Sequence, residues 1–227
     1  MPATASKVYK HTQERGNLEE GETFGVFSTS LMYGNYTMVV VANTGSNAIM
    51  VTSPTAATYG ENNPMDTWVY TQAVNITGND AVNLSATLDR IVTAVAVRST
   101  DNRPAEVTHI RLSYTKGGKS FSPTTGLATS NTGFSATVAY PASTLGTTTS
   151  MGGYLFLADD EETLDVTIET LDAADGNVLF SKTITDVPVK RNRQTILTGA
   201  TFSGTGVSAS GFQVNTTWLT AEDPINF

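Results

Sequence analysis

Hydrophobic and polar residues alternate with a period of two in many segments of the chain, which is the pattern of β-strands with one buried face. The clearest case is residues 164–169, where Leu, Val and Ile alternate with Asp, Thr and Glu. Residues 172–177 follow and contain two Asp, a Gly and an Asn, which favour a turn into a second strand over residues 178–184. The pattern therefore predicts a β-hairpin here.

Shorter alternating or apolar segments predict further strands. They are expected at residues 24–27, 36–42, 49–52, 68–70, 73–76, 90–97, 108–114, 134–140 and 154–158. Residues 36–42 are almost continuously apolar, which predicts burial on both faces of that strand. Residues 53–66 are rich in Pro, Gly and Asn and are predicted to form a loop. No segment has the composition of a helix, so the chain is predicted to be all-β.

The density of apolar residues divides the chain near residue 83. A chain of 227 residues can bury one large core or two modest ones. Apolar residues are sparse before this point and more frequent after it. We predict two β-sandwich domains, transthyretin-like or immunoglobulin-like and mostly antiparallel, over residues 1–83 and 84–227. The N-terminal domain is expected to be small or to lack a strand.

Composition excludes several classes of function. The net charge is −8 with only 13 Lys and Arg residues, which argues against nucleic-acid binding. The densest basic cluster, Lys190, Arg191 and Arg193, is predicted to be a solvated corner between strands. Thr, Ser, Asn and Gly carry most of the polarity, and they suit strands and turns. The absence of Cys excludes thiol catalysis and disulfides.

The residues needed for catalysis or for cofactor binding do not occur in recognisable motifs. His11 and His109 are the only histidines, and neither is near a nucleophile motif. Residues 117–120, Gly-Gly-Lys-Ser, resemble the end of a phosphate-binding loop but lack its first glycine and its helix, so a turn is predicted. The acidic residues 159–162 are predicted to be solvated, with calcium binding as the alternative. No catalytic residue, cofactor site or metal site is predicted, and the chain is interpreted as a non-enzyme.

The C-terminal segment offers one more strand. Phe212, Val214 and Trp218 fall on one side of a period-two pattern, as in a strand. They follow a Gly- and Ser-rich run at residues 204–211. Trp68, Trp218 and several tyrosines also leave an alternative open, because exposed aromatic rings stack on sugars. In that alternative, the chain is a carbohydrate-binding or other ligand-binding module of a surface glycan system.

Residues 187–199, Val-Pro-Val-Lys-Arg-Asn-Arg-Gln-Thr-Ile-Leu-Thr-Gly, contain the pattern Pro-x-Lys-Arg-Asn-x-x-Thr-x-x-x-Gly. Together with residues 34–43 and 88–97, this segment resembles Bacteroidetes fimbrillin-type proteins, the Mfa-like and FimB-like subunits and anchors of type V pili. The segment at residues 88–97 departs from the family in one respect, because the Lys often found there is replaced by Ala94 or Val95.

The resemblance implies a structural or adhesive subunit, tip or anchor of a pilus at the cell surface or outer membrane. It implies other pilus subunits as partners through strand exchange, and host or bacterial surface glycans or proteins as further partners. The N-terminus lacks the apolar core of a signal peptide and a lipid-attachment Cys, so the chain is either a trimmed mature form or a protein that stays in the cytosol. The resemblance favours a trimmed mature form whose lipid anchor is absent, because fimbrillin-type proteins are exported.

The resemblance also implies two candidate sites. Phe212, Val214 and Trp218 are a candidate donor strand, and the alternative is that they pair within their own chain. Arg15, in a polar stretch before the first firm strand, is a candidate processing site for an arginine-specific protease, and the alternative is an ordinary surface residue.

Overall fold

The computed structural model describes residues 9–203 and 213–218, and of residues 215–218 the backbone only. Apart from one 3₁₀ turn at Ala142–Thr144, the elements of this part of the chain are strands, which confirms the predicted all-β fold. The strands are β1 Gly34–Asn43, β2 Met50–Ser53, β3 Ala56–Thr58, β4 Thr67–Ile76, β5 Asp89–Arg90, β6 Thr93–Ser99, β7 His109–Tyr114, β8 Ser120–Phe121, β9 Phe134–Ala139, β10 Ser150–Leu155, β11 Glu161–Leu171, β12 Val178–Lys190, β13 Arg193–Gly199 and β14 Gln213–Trp218.

Two four-stranded sheets form a β-sandwich. Their strand orders are β10-β6-β13-β14 and β12-β11-β7-β9. Alternate residues of β7 and β11 point into the space between the sheets, as their period of two predicts. This main core includes Val95 and Leu197 from one sheet and Ile110, Val166 and Ile168 from the other. The strand pairs are antiparallel except for β6 with β13, which run parallel.

A second core lies on the opposite face of β6 and β10. Val95 in β6 belongs to the main core, whereas its neighbour Ala94 belongs to the second. In the same way, Leu155 in β10 faces the main core and Tyr154 the second. Because successive residues of a strand point to opposite faces, one sheet serves both cores. This explains why β6 is buried along nearly its whole length.

The second core is covered by two three-stranded sheets, of order β1-β4-β5 and β2-β3-β8. Its centre is an aromatic stack in which the rings of Phe121 and Phe156 lie 4.3 Å apart and Tyr59 lies 6.2 Å from Phe156. This core contains Ala57 and Val69 as well as residues beyond position 83. The second core therefore contains residues from both sides of position 83. The predicted domain boundary at residue 83 stays a prediction.

The chain forms two compact units. One is the described part of Met1–Tyr36 with Val74–Val82, and the other is Thr37–Ala73 with the described part of Asn83–Phe227. Both cores lie in the second unit. In the first unit, the Gln13 side chain donates to the Val26 carbonyl (3.0 Å) and accepts from the Gly25 amide (2.9 Å).

Several local predictions were wrong. Residues 24–27 form a turn and irregular chain instead of a strand, and Val26 and Phe27 are exposed. The predicted loop over residues 53–66 contains β3, because this segment pairs with β8 and buries Ala57 in the second core. The apolar strand β1 is only half-buried over its apolar stretch, because it lies at the edge of its sheet.

Two glycines in β10 allow close packing on both of its faces. A Cβ on Gly152 would lie 2.5 Å from the carbonyl oxygen of Val95, and a Cβ on Gly153 would lie 2.9 Å from the Tyr114 hydroxyl. Any larger residue at either position must displace the neighbouring strand or this tyrosine. Tyr114 is itself inside the main core, and burial raises the pKa of its hydroxyl.

Candidate functional site: the sheet edge formed by β13 and β14

β14 is the last strand of its sheet among the strands described. It pairs antiparallel with β13, with Trp218 opposite Arg193 and Gln213 opposite Thr198. On its other side, β13 pairs with β6, so β14 alone covers this side of β13. If β14 left, the outward N–H and C=O groups of β13 would lose their partners, and an exposed row of such groups is a template for another strand.

The side chains of β13 continue into the sandwich. Gln194, Thr195 and Leu197 are buried, and Leu197 belongs to the main core. The Thr195 hydroxyl donates to the carbonyl of Pro188 at 2.8 Å, and the Thr93 hydroxyl donates to the carbonyl of Arg193 at 3.1 Å. These bonds do not involve β14, so β13 is held in place independently of its outer neighbour.

The structure places the predicted donor residues as follows. Val214 is 42% exposed and stands opposite the buried Leu197. Trp218 is placed by its backbone pairing with Arg193, and Phe212 lies outside the described residues. β14 pairs within its own chain, and donation to a neighbour stays a prediction.

The predicted corner between strands lies before β13, and the structure shows that it connects the two sheets of the sandwich. Arg191 and Asn192 carry the chain from β12 to β13, and Asn192 adopts a left-handed conformation with φ of 56°. The Asn192 amide donates to the carbonyl of Val92 at 2.8 Å, and the Arg191 amide donates to that of Asp160 at 2.9 Å. Asn tolerates this conformation better than most residues, which explains its place in the turn.

The basic residues of the corner are engaged with neighbouring groups. Lys190 forms an ion pair with Glu161. The Arg191 guanidinium lies 2.8 Å from an oxygen of Asp160 and donates to the carbonyl of Thr125 at 3.1 Å. The corner is therefore tied to the acidic loop at residues 159–162 by charge and hydrogen bonds.

Glu162 of this loop and the nearby Asp165 also have protein partners. Glu162 accepts hydrogen bonds from the amides of Ala158 (2.6 Å) and Asp159 (3.2 Å) and from the Asn131 side chain (3.1 Å). Asp165 accepts from the Asp186 amide at 3.1 Å. These contacts organise the loop and the neighbouring strands, and the calcium alternative gains no support from them.

The histidines do not come together with groups that would make them catalytic. Nδ1 of His109 lies 2.7 Å from the hydroxyl of Thr108, and the ring is half-buried on β7. His11 stacks on Phe27, with ring centroids 4.5 Å apart, in the first compact unit. The hairpin turn predicted at residues 117–120 was wrong: Gly118 forms a β-bridge with Phe156, and Ser120 begins β8, which lies in a different sheet from β7.

One face of the Trp68 ring is covered by a cationic side chain. Trp68 is half-buried on β4, and the Arg90 guanidinium lies 5.1 Å from its ring centroid. A face covered in this way is not open to a ligand. The alternative of a carbohydrate-binding module therefore gains no support from Trp68.

Arg15 lies in an exposed turn of the first unit. The turn is closed by a hydrogen bond from the Asn17 amide to the carbonyl of Glu14, at 3.0 Å. The Arg15 guanidinium lies 5.0 Å from the ring centroid of Phe24. The position is accessible, and processing there stays a prediction.

Comparison with known proteins gives a family without an assigned function. The model of the family of unknown function DUF6562 matches residues 11–216. No curated protein matches the chain significantly. Among the described residues, no helix is long and apolar enough to cross a bilayer.

Several solved structures from Bacteroides are distantly similar. A "putative adhesin" from Bacteroides ovatus has a TM-score of 0.46 at 13% identity, covering 67% of this chain and 65% of its own, so the chain spans just under two thirds of it. A "putative cell adhesion protein" from Bacteroides eggerthii gives 0.44 at 13% identity over 80% and 76%. Another from Bacteroides ovatus gives 0.43 at 12% identity over 85% and 71%. Since its model spans nearly the whole chain, the protein belongs to the DUF6562 family.

Proposed function

We propose that this chain is a fimbrillin-like cell-surface protein, a structural or adhesive subunit, tip or anchor of a type V pilus that assembles by β-strand donation. The observation that carries the proposal is the position of β14. It is an edge strand, joined to β13 by a segment whose residues 204–211 are rich in Gly and Ser. The resemblance of residues 187–199 to fimbrillin-type proteins supports the same role.

Strand donation in this chain means that β14 leaves β13 and pairs with the equivalent edge of a neighbour. The backbone hydrogen bonds that β14 makes in the neighbour replace those it loses within its own chain, so the exchange is nearly balanced in contact energy. Home pairing has the advantage of a high effective concentration, of millimolar order for a short connection. Isolated chains are therefore expected to keep β14 at home at micromolar concentration, and assembly requires a partner edge that is open.

The proposal assigns partners and place accordingly. The partners are other pilus subunits, joined through strand exchange, with surface glycans or proteins as adhesion targets. The chain acts outside the cell, at the outer membrane or in the fimbria. Its role is mechanical assembly rather than catalytic turnover.

Removing the residues after Ser203 is the direct test of donation. The shortened chain lacks β14, so its β13 edge is open, and it is expected to bind a fluorescently labelled peptide of residues 204–227. Binding is measured by fluorescence anisotropy, and the complex by size-exclusion chromatography. The intact chain, whose edge is occupied, is expected to take up the peptide at least tenfold more slowly.

A scrambled peptide of the same composition is the control for non-specific binding. If the shortened chain proves insoluble, the peptide is added to the intact chain during refolding, where it competes with the home strand for the same edge. Failure of the peptide to bind in both formats, or equal binding of the scrambled peptide, would overturn the proposal.

Processing at Arg15 has its own test. An arginine-specific protease is expected to cut the folded chain first after Arg15, giving a product that begins at Gly16 by mass spectrometry. Arg98 is the matched comparison, because it is exposed but lies in β6, which is paired on both sides and cannot enter a protease cleft. Arg15→Gln should abolish the first cut. A first cut at another arginine would show that Arg15 is an ordinary surface residue.

A further inference from the structure

Asp101 binds the chain at the point where it leaves β13. One carboxylate oxygen accepts the Thr201 amide at 2.8 Å. The other accepts the amides of Phe202 (2.9 Å) and Ser203 (2.6 Å) and the Ser203 hydroxyl (2.8 Å). Three successive backbone amides thus converge on a carboxylate that lies about a hundred residues earlier in the chain. Hydrogen bonds to an ionised acceptor are the stronger kind.

The surroundings of Asp101 hold the same segment by further contacts. The Thr100 amide donates to the carbonyl of Gly199 at 3.0 Å, and Thr201 is fully buried. The ring of Phe202 packs edge-on against Tyr140, with centroids 5.8 Å apart. The segment from Gly199 to Ser203 is therefore fastened to the sandwich by the backbone after β6 and by an aromatic contact.

The charge state of Asp101 suits a permanent contact. Burial alone would raise the pKa of this carboxyl, but the hydrogen bonds from Thr201, Phe202 and Ser203 outweigh it and lower the pKa. A carboxyl with a lowered pKa in the folded state stabilises the fold above its unfolded pKa, about 3.9, and loses this contribution as the pH falls through the folded value. Asp101 is thus ionised at neutral pH.

We propose that Asp101 is the anchor that sets where the C-terminal arm begins: residues up to Ser203 stay on the sandwich, and only those after it exchange between chains. This inference rests on the proposed strand donation, and it specifies the residue after which the donated segment begins. Pulling on a donated arm then acts on the contacts of Asp101, and β13 keeps its place beside β6. A neighbouring chain consequently always meets an ordered β13 edge.

Hydrogen–deuterium exchange of the intact chain tests the anchor. Asp101→Ala removes all four hydrogen bonds, and amide exchange at residues 201–203 is expected to become at least about tenfold faster. Asp172→Ala is the matched control, because the Asp172 carboxylate also accepts a backbone amide, that of Asn177 at 2.7 Å, but far from residues 201–203 in the sequence. The control is expected to leave residues 201–203 unchanged. Asp101→Asn keeps one acceptor oxygen but loses the charge and the second acceptor, so it should give an intermediate rate and serves if the alanine variant misfolds.

The peptide assay separates the anchor from donation itself. In the chain ending at Ser203, Asp101→Ala is expected to weaken binding of the 204–227 peptide at least about tenfold, because the end of β13 is no longer fixed. Unchanged exchange at residues 201–203, or full peptide affinity in the alanine variant, would overturn the anchor. If amide exchange at residues 201–203 becomes faster in Asp101→Ala, but the 204–227 peptide binds neither the variant nor the unaltered chain, strand donation is overturned and the anchor is not.

Discussion

Replacing Arg90 by methionine is expected to destabilise the fold by about 3–5 kcal/mol at neutral pH, because it leaves a buried carboxylate without its counter-ion. Arg90 Nε lies 2.9 Å from Asp66 Oδ1, and both side chains are only 13% exposed. Methionine preserves much of the volume, so the loss reports mainly on charge. The measurement is the free energy of unfolding from urea denaturation of the intact chain.

The pH dependence of this variant identifies the cause. Burial raises the pKa of Asp66, although Arg90 opposes the rise, and removing Arg90 is expected to raise it further. A carboxyl with a raised folded pKa contributes stability that is fully present below its unfolded pKa and is lost as the pH rises through the folded value. The destabilisation by Arg90→Met should therefore be smaller at pH 4 than at pH 7.

Two further variants complete the test of the ion pair. Arg90→Met combined with Asp66→Asn removes both charges and is expected to recover part of the lost stability. Arg191→Met is the exposed comparison, because its partner Asp160 is 68% exposed, and it should cost no more than about 1 kcal/mol. An effect of Arg90→Met that is equal at both pH values would show that lost packing, not the unpaired carboxylate, is responsible.

Phe156→Ala is expected to cost about 3–5 kcal/mol, because it leaves a cavity at the centre of the second core. The side chain is fully buried, and its ring stacks on Phe121. The backbone of Phe156 pairs with Gly118 in both directions, at 3.0 and 3.1 Å, so the chain around the cavity should keep its path. Chemical denaturation followed by far-ultraviolet circular dichroism measures the loss.

The shape of the transition tests whether the two cores are one folding unit. Successive residues of β6 and β10 face different cores, so loss of one core is expected to loosen the other and a single transition should persist. Phe156→Leu, which keeps most of the volume, should cost clearly less than the alanine variant. Val178→Ala, at a position 44% exposed, should change stability by less than about 0.5 kcal/mol. Two separate transitions in Phe156→Ala would contradict the shared sheet.

Local patterns were enough to predict most of the strands. The alternation at residues 164–169 and the Asp- and Gly-containing turn after it are reproduced by β11, β12 and the turn between them, where Asp172 accepts the Asn177 amide. The corner after residue 190 was predicted from its basic and polar residues and does connect two sheets. These features depend on residues close in sequence, so short windows carry the information.

Predictions failed where a distant partner decides the outcome. The apolar run of β1 predicts a strand buried on both faces, but β1 lies at the edge of its sheet and is only half-buried. The short strand β3 was missed because Ala57 and Thr58 pair with Phe121 and Ser120, more than sixty positions away. Asp101 carries no local signal for its role either, since the amides that it accepts come from residues 201–203.

The sequence by itself determined the all-β class, most strand positions and the turn chemistry, because a period of two and the backbone preferences of Gly, Asn and Asp act over a few residues. Only the tertiary structure decided the parallel pairing of β6 with β13, the sheet that serves two cores, and the carboxylate that fastens the end of β13. Those contacts join residues up to about a hundred positions apart. Many pairings are compatible with the same alternation, and the choice among them depends on how whole sheets pack.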